Sequence, residues 1–446
     1  MTHLYTGAVQ RGGPAPDDPI GWHLLPDSSS VAPNGHLTVG GVDVVDLASE
    51  LGTPLFVYDE VHIRRRCQEA VKAFGEGVAY GSKAFLCRAM ARLVHEEGMG
   101  IDVASGGEMH VALAAGVPAT KLVLHGNNKS YEELSTAFRV GVGRIVVDSF
   151  DEIDRISVLL DETTSDPEGM ITKLLIRVTP GVEAHTHEYV KTGQDDSKFG
   201  FSLASGAAAE AWKKLRHIAG TNLVGVHAHI GSQIFLLDSY AAEVEALSDF
   251  FGDRSLDEVC IGGGLGVAYL NDERAPSLSQ WAEVVHDACV RMGIPPKTRI
   301  TAEPGRSIVA SSAITLYRIG TIKHLPGIRT YVAVDGGMSD NPRPVLYGSG
   351  YEAFLPRSVN SKRPMRATVV GKHCESGDVV VSDARLPSDF HVGDVLATPV
   401  TGAYGYSMAS NYNRVPRPPV IFVKDGQVKV VLRRETVEDM LRLDVE

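Results

Sequence analysis

Long apolar runs are missing from this chain: no stretch of its 446 residues approaches the ~20 apolar residues that span a bilayer, so no membrane role is expected. Cysteine is scarce, with Cys67, Cys87, Cys260, Cys289 and Cys374 an odd set of five without CxxC spacing. Neither a disulfide framework nor a structural zinc site is indicated. Basic residues number 43 against 55 acidic ones, giving a net charge of −12, and they are scattered. No electrostatic footprint for nucleic acid results, and the expected partner is a small molecule. Residues 1–35 are rich in Pro, Gly and Ser and lack the basic-then-apolar order of a secretory leader, which makes the cytoplasm the expected compartment. His185 and His187 form a His-x-His pair in a polar loop, which reads as solvated or substrate-facing; no metal is expected.

What the chain does have is length and rhythm. At 446 residues it exceeds the roughly 250–300 at which a single core stops growing, so two domains are expected. Short apolar runs recur at 77–83, 98–104, 121–126, 143–148, 172–178, 223–229, 258–263 and 299–303, separated by stretches with apolar residues three and four apart. Eight strand–helix alternations of this size predict a (β/α)8 barrel rather than an open doubly wound sheet. After Arg306 the pattern turns to β-rich runs punctuated by Gly, Pro and Asp, predicting an all-β second domain that also takes in the N-terminal segments 37–42 and 56–58. The expected division is 1–48 joining the β domain, 49–308 as the barrel and 309–446 as the β domain.

In such a barrel the chemistry sits at the C-terminal ends of the strands. Those ends are polar in complementary ways: Lys83 on the first, Asp102 on the second, His125 to Lys129 on the third, Arg177 on the fifth, His229 to Gln233 on the sixth, Gly262-Gly263-Gly264 on the seventh and Glu303-Pro304-Gly305-Arg306 on the eighth. Glycine turns let backbone N–H groups approach an anion. An amine able to form a Schiff base, a phosphate pocket, a flat ring partner and a carboxylate for a ring nitrogen together describe pyridoxal phosphate. The Gly-Gly-Gly-Leu-Gly run could also suggest a dinucleotide, but it follows the seventh strand, and Glu303 lies well past the roughly 20-residue spacing of that fingerprint.

The motifs YGSKAF (80–85), GIDVASGGE (100–108), HGNNKS (125–130), HAHIGSQI (227–234), GGGLGVAY (262–269), EPGRSIV (303–309), NPRPVLYG (341–348), CESGD (374–378) and GAYGYSMASNYN (402–413) stand here in order. As an ordered set they make the chain resemble the group III, alanine-racemase-like pyridoxal-phosphate decarboxylases over nearly its whole length. YGSKAF departs from the YAVKAN more usual in that family; Lys83 is kept, but the packing beside it must differ.

The resemblance implies Lys83 as the cofactor lysine, His229 stacked on the ring and Glu303 on the ring nitrogen. Asp102 and Arg177 would line the cofactor. Ser232, Gly263, Gly264 and the backbone of Glu303, Pro304, Gly305 and Arg306 would form the phosphate cradle, closed by Tyr404. It implies Cys374 as the acid that reprotonates the α-carbon. Arg306, Arg343 and Tyr347 would grip a distal carboxylate, Glu375 a distal ammonium, and Tyr404 would border the substrate. That distal pair favours meso-2,6-diaminopimelate over ornithine, arginine or carboxynorspermidine; a non-catalytic cofactor-binding relative is the alternative of another class. The family pattern further implies a homodimer with shared sites, and a lid at 185–201.

Overall fold

The computed structural model describes residues 17–163, 172–182, 197–251, 254 and 256–445. The His-x-His pair and most of the expected lid lie outside the described residues. Two compact units divide the chain. The first holds Cys67–Gly266 and Pro276–Ser307, and the second takes the described residues up to Arg66, Val267–Ala275 and Ile308 onward. Residues 49–66 therefore group with the second unit, as the β character of 56–58 suggests, and not with the barrel as the boundary at 49 has it.

In the first unit, eight parallel strands follow one another in space as in sequence: β1 (Ala79–Gly81), β2 (Gly100–Val103), β3 (Leu122–Leu124), β4 (Arg144–Val147), β5 (Lys173–Thr179), β6 (Leu223–Ala228), β7 (Glu258–Cys260) and β8 (Arg299–Thr301). The barrel closes where the Ala79 and Gly81 amides donate to Ala302 O and Pro304 O at 3.0 and 3.1 Å. Strand alternation sends Ala79, Val123, Val146, Leu175 and Val224 into one buried cluster. The opposite end from the polar strand termini is plugged by Glu258, 1% exposed at its side chain, between Arg144 (2.6 Å) and Arg299 (3.0 Å). Amphipathic helices fill the intervals, with side-chain caps at Ser105, Ser130 and Ser277 where the apolar period begins.

The second unit is built on an eight-stranded sheet in which Leu55–Asp59 lies centrally, antiparallel to Ala313–Leu325 and parallel to Val420–Lys424. The N-terminal segment is fastened to this unit by Arg363, which donates to Asp18 O at 2.8 Å and pairs with Glu352 at 2.8 Å while only 1% exposed. Leu37–Val39 forms a separate three-stranded sheet with Ser30–Val31 and Val42–Asp43. No helix among the described residues is long and apolar enough to cross a membrane.

Candidate active site

β1 ends at Gly81 and turns at once into the 3-10 segment Ser82–Ala84, which leaves Lys83 exposed between buried neighbours. The Tyr80 hydroxyl donates to Phe85 O at 2.9 Å and fixes that turn. Gly81 and Gly305 face each other across the β1–β8 seam: a Cβ on Gly81 would press on Gly305 Cα at 3.3 Å, and one on Gly305 would meet Gly81 O at 2.8 Å. Glycine in place of the family's alanine thus brings the lysine turn tight against the loop after β8.

Glu303 sits beneath, its side chain 8% exposed, with one carboxylate oxygen 2.9 Å from His125 Nε2 and the other 3.0 Å from His227 Nε2. A carboxylate only accepts, so both imidazoles donate through Nε2. Burial alone would raise the Glu303 pKa, yet His125 and His227 hold it well below the ordinary carboxylate range. Burial also pushes His227 down to about 4, while Asp102 (3.7 Å away) and Glu303 outweigh burial at His125 and raise it. Asp102 is itself pushed up to about 6 by burial. The balance is an ionised Glu303 beside a neutral His227, with His125 shifted toward its charged form. The ligand atoms of His125, His227 and Glu303 lie within 4.8 Å of one another, but their Nε2–oxygen separations are hydrogen-bond lengths.

His229, the first residue after β6, accepts the Gly263 amide at Nδ1, 3.1 Å away. Burial, with Lys83 and Arg177 nearby, keeps its pKa well below 6.5, so its ring is neutral and pinned. The turn after β7 has to be glycine: a Cβ on Gly262 would meet His229 Nδ1 at 2.8 Å, one on Gly263 would overlap Glu303 O, and one on Gly264, at φ +98°, would overlap Gly231 O. Next to this turn Arg306 donates to Ser232 Oγ at 2.9 Å. Arg177 lies over the Phe199 ring at 4.3 Å and 3.7 Å from Asp148.

The residues present fit pyridoxal phosphate: an exposed amine, a buried carboxylate held ionised, a neutral ring fixed in orientation, and glycine turns whose concavity any Cβ would fill. Of the expected residues, Lys83, Asp102, Arg177, His229, Ser232, Gly263, Gly264, Glu303, Pro304, Gly305 and Arg306 gather in the first unit. Sequence reasoning passed over His125 and His227 as the holders of Glu303. The available signal was the His-Ala-His run at 227–229, where the sixth strand meets its loop.

Arg343, Tyr347, Cys374, Glu375 and Tyr404 belong to the second unit. There Arg343 is 6% exposed, donates to the Tyr351 hydroxyl at 2.7 Å and stacks 4.5 Å from the Tyr269 ring centre. Its pKa is raised: burial alone would lower it, but Tyr269 and Tyr351 outweigh that cost. Cys374 is exposed on a loop fixed from below. Asp378 accepts the Met338 and His373 amides at 2.7 and 2.8 Å, and Asn413 Oδ1 accepts the Cys374 amide at 3.3 Å. Glu375 accepts from the Tyr412 hydroxyl, and Tyr404 stands in the left-handed region at φ 60°. Tyr269, Tyr351 and Asn413 had no assigned place in the sequence reading.

Residues 60–310 match the family described as the pyridoxal-dependent decarboxylase pyridoxal-binding domain, and the chain belongs to the pyridoxal-dependent decarboxylases. Within that class it falls in the diaminopimelate decarboxylase family. It is 45% identical to the diaminopimelate decarboxylase of Mycobacterium tuberculosis (strain ATCC 25618 / H37Rv) over 92% of this chain and 95% of the relative. With that of Bacillus subtilis (strain 168) it shares 44% identity, covering 92% and 96%. Among solved structures, diaminopimelate decarboxylase from M. jannaschii in complex with L-lysine superposes with a TM-score of 0.86 at 32% identity, covering 94% of this chain and 98% of that one.

Proposed function

We infer that this protein removes carbon dioxide from meso-2,6-diaminopimelate to give L-lysine, using pyridoxal phosphate. The observation that carries the reading is Glu303, a buried carboxylate kept ionised by two imidazole donors beside the Lys83 turn. Lys83 would hold the cofactor's aldehyde carbon, Glu303 its ring nitrogen, His229 its ring face, with Asp102 and Arg177 beside it. Ser232, Gly263, Gly264 and the backbone of 303–306 would hold its phosphate, closed by Tyr404. Bound there, the cofactor supplies an electron sink for the pair left on the α-carbon when the carboxylate departs.

The chain's own groups do the rest. Glu303, fixed by His125 and His227, keeps a proton on the nitrogen it faces. His229 cannot tilt without losing the Gly263 amide, so it would present a ring of fixed orientation to the cofactor. The exposed Cys374 thiol delivers the proton that replaces the lost carboxylate, a general-acid role worth ~10²–10⁴-fold in rate. Arg343, already desolvated and aligned by Tyr269 and Tyr351, grips the distal carboxylate with Arg306 and Tyr347, while Glu375 takes the distal ammonium.

A homodimer is part of this reading, in which one copy's Cys374, Glu375 and Tyr404 complete the barrel of the other. The reaction takes place in the cytoplasm. Carbon dioxide release from meso-diaminopimelate, ornithine, arginine and carboxynorspermidine tests the substrate: the diacid should be turned over fastest, and faster release from ornithine would overturn the choice.

A further inference from the structure

In HGNNKS, Lys129 is a charged residue that the proposed chemistry does not use. Lys129 follows β3 by a few residues and is 2% exposed, an uncommon place for an ammonium. Its three donors meet three acceptors: Gly126 O at 2.8 Å, Val146 O at 2.6 Å and Glu152 Oε1 at 2.8 Å. The other Glu152 oxygen accepts the Asp148 amide at 2.9 Å, and Lys129 O accepts from Arg155 at 3.1 Å. Asp148 in turn accepts the Gly200 amide at 2.8 Å and stands 3.7 Å from Arg177.

Each tie ends next to the site. Gly126 directly follows His125, the residue that donates to Glu303, and Val146 and Asp148 mark the C-terminal end of β4. Buried ion pairs are weak sources of stability, since well-packed apolar residues often replace them at no loss. A buried lysine that draws the loop after β3 onto the end of β4 has its effect in geometry.

We propose that Lys129 is a positioning residue which, through Gly126 on one side and Glu152 and Asp148 on the other, sets the placement of His125 and Arg177 around the cofactor pocket. The proposal rests on the cofactor site inferred above. In the variant Lys129→Met, the affinity of the cofactor-stripped protein for pyridoxal phosphate, read from its visible absorbance, should fall at least ~10-fold, and the melting temperature should fall as Glu152 loses its partner. The double variant Lys129→Met/Glu152→Met separates the two roles. Its melting temperature should recover while the affinity stays reduced.

A double variant that regains both melting temperature and wild-type affinity would overturn the proposal, because the pair would then be structural only. Asp148→Asn decides the matter even if the lysine variants do not fold. It keeps an acceptor for the Gly200 amide but takes the counter-charge from the buried Arg177, so melting should fall while the protein still folds, and affinity should fall at least ~3-fold; unchanged affinity would overturn the link to Arg177. A wild-type protein that binds no pyridoxal phosphate would instead overturn the proposed function.

Discussion

Glu303→Gln tests the site where its electrostatics are most tightly specified. The carboxylate accepts one hydrogen bond from His125 and one from His227; a carboxamide offers one acceptor and one donor, so one imidazole N–H would face an N–H. His227 can relieve this by moving its proton to Nδ1, which has no hydrogen-bond partner among the described residues. The fold should therefore survive at the cost of one charge-assisted bond, about 1.5–3 kcal/mol. At roughly 2–4 °C per kcal/mol for a unit of this size, calorimetry should show a melting temperature lower by about 3–12 °C.

The pH profile of that loss has a definite sign. Glu303 is depressed on folding, so its contribution is present above its ordinary value of 4.5 and disappears as pH falls through the lower folded value. His125 is raised on folding, so its contribution is full below 6.5 and fades as pH rises through the folded value. Wild type and variant should differ most between those limits. Decarboxylation should fall at least ~10²-fold, the lower bound for losing a positioned proton-holding group. A variant with near-normal turnover, or with unchanged melting at pH 5.5, would refute the assignment of Glu303.

Gly264→Ala should weaken pyridoxal phosphate binding at least ~10-fold, because its Cβ would overlap Gly231 O, whereas Gly107→Ala, with only Ser105 Oγ at 3.7 Å, should change nothing in the same absorbance titration. Glu243 is wholly buried with both oxygens lacking a partner among the described residues, and burial raises it well above 4.5. Its contribution is full below 4.5 and is lost as pH rises through the folded value, at about 1.4 kcal/mol per pH unit between the two. Glu243→Met should flatten the alkaline decline in melting temperature, and an unaltered slope would count against a neutral Glu243. Lys83→Ala and Cys374→Ala should each be nearly inactive, and mixing them should restore part of the carbon dioxide release; no recovery would argue against sites shared between two copies.

The barrel was legible because each of its strands is a short apolar run that ends in chemistry. Lys83, Asp102, Arg177, His229 and Glu303 could be read directly as strand ends. What stayed hidden depends on who neighbours whom in space. His125 and His227 meet Glu303 only after the barrel closes, across separations of 178 and 76 residues. Leu55–Asp59 pairs with Ala313–Leu325: the β character of 56–58 pointed to the second domain, but no local pattern announces which strand it pairs with. Arg343 was expected as a distal grip, and packing sets it between Tyr269 and Tyr351, which lie far apart in sequence. Arg306 was expected to serve both phosphate and substrate; its bond to Ser232 draws it toward the glycine turns.

The most direct test of the whole account compares the wild type and Lys83→Ala, each with pyridoxal phosphate, for L-lysine and carbon dioxide formed from meso-2,6-diaminopimelate. The account predicts the two products in equal amounts from the wild type and neither from the variant. Lysine formation by Lys83→Ala at a comparable rate, or none by the wild type, would contradict it.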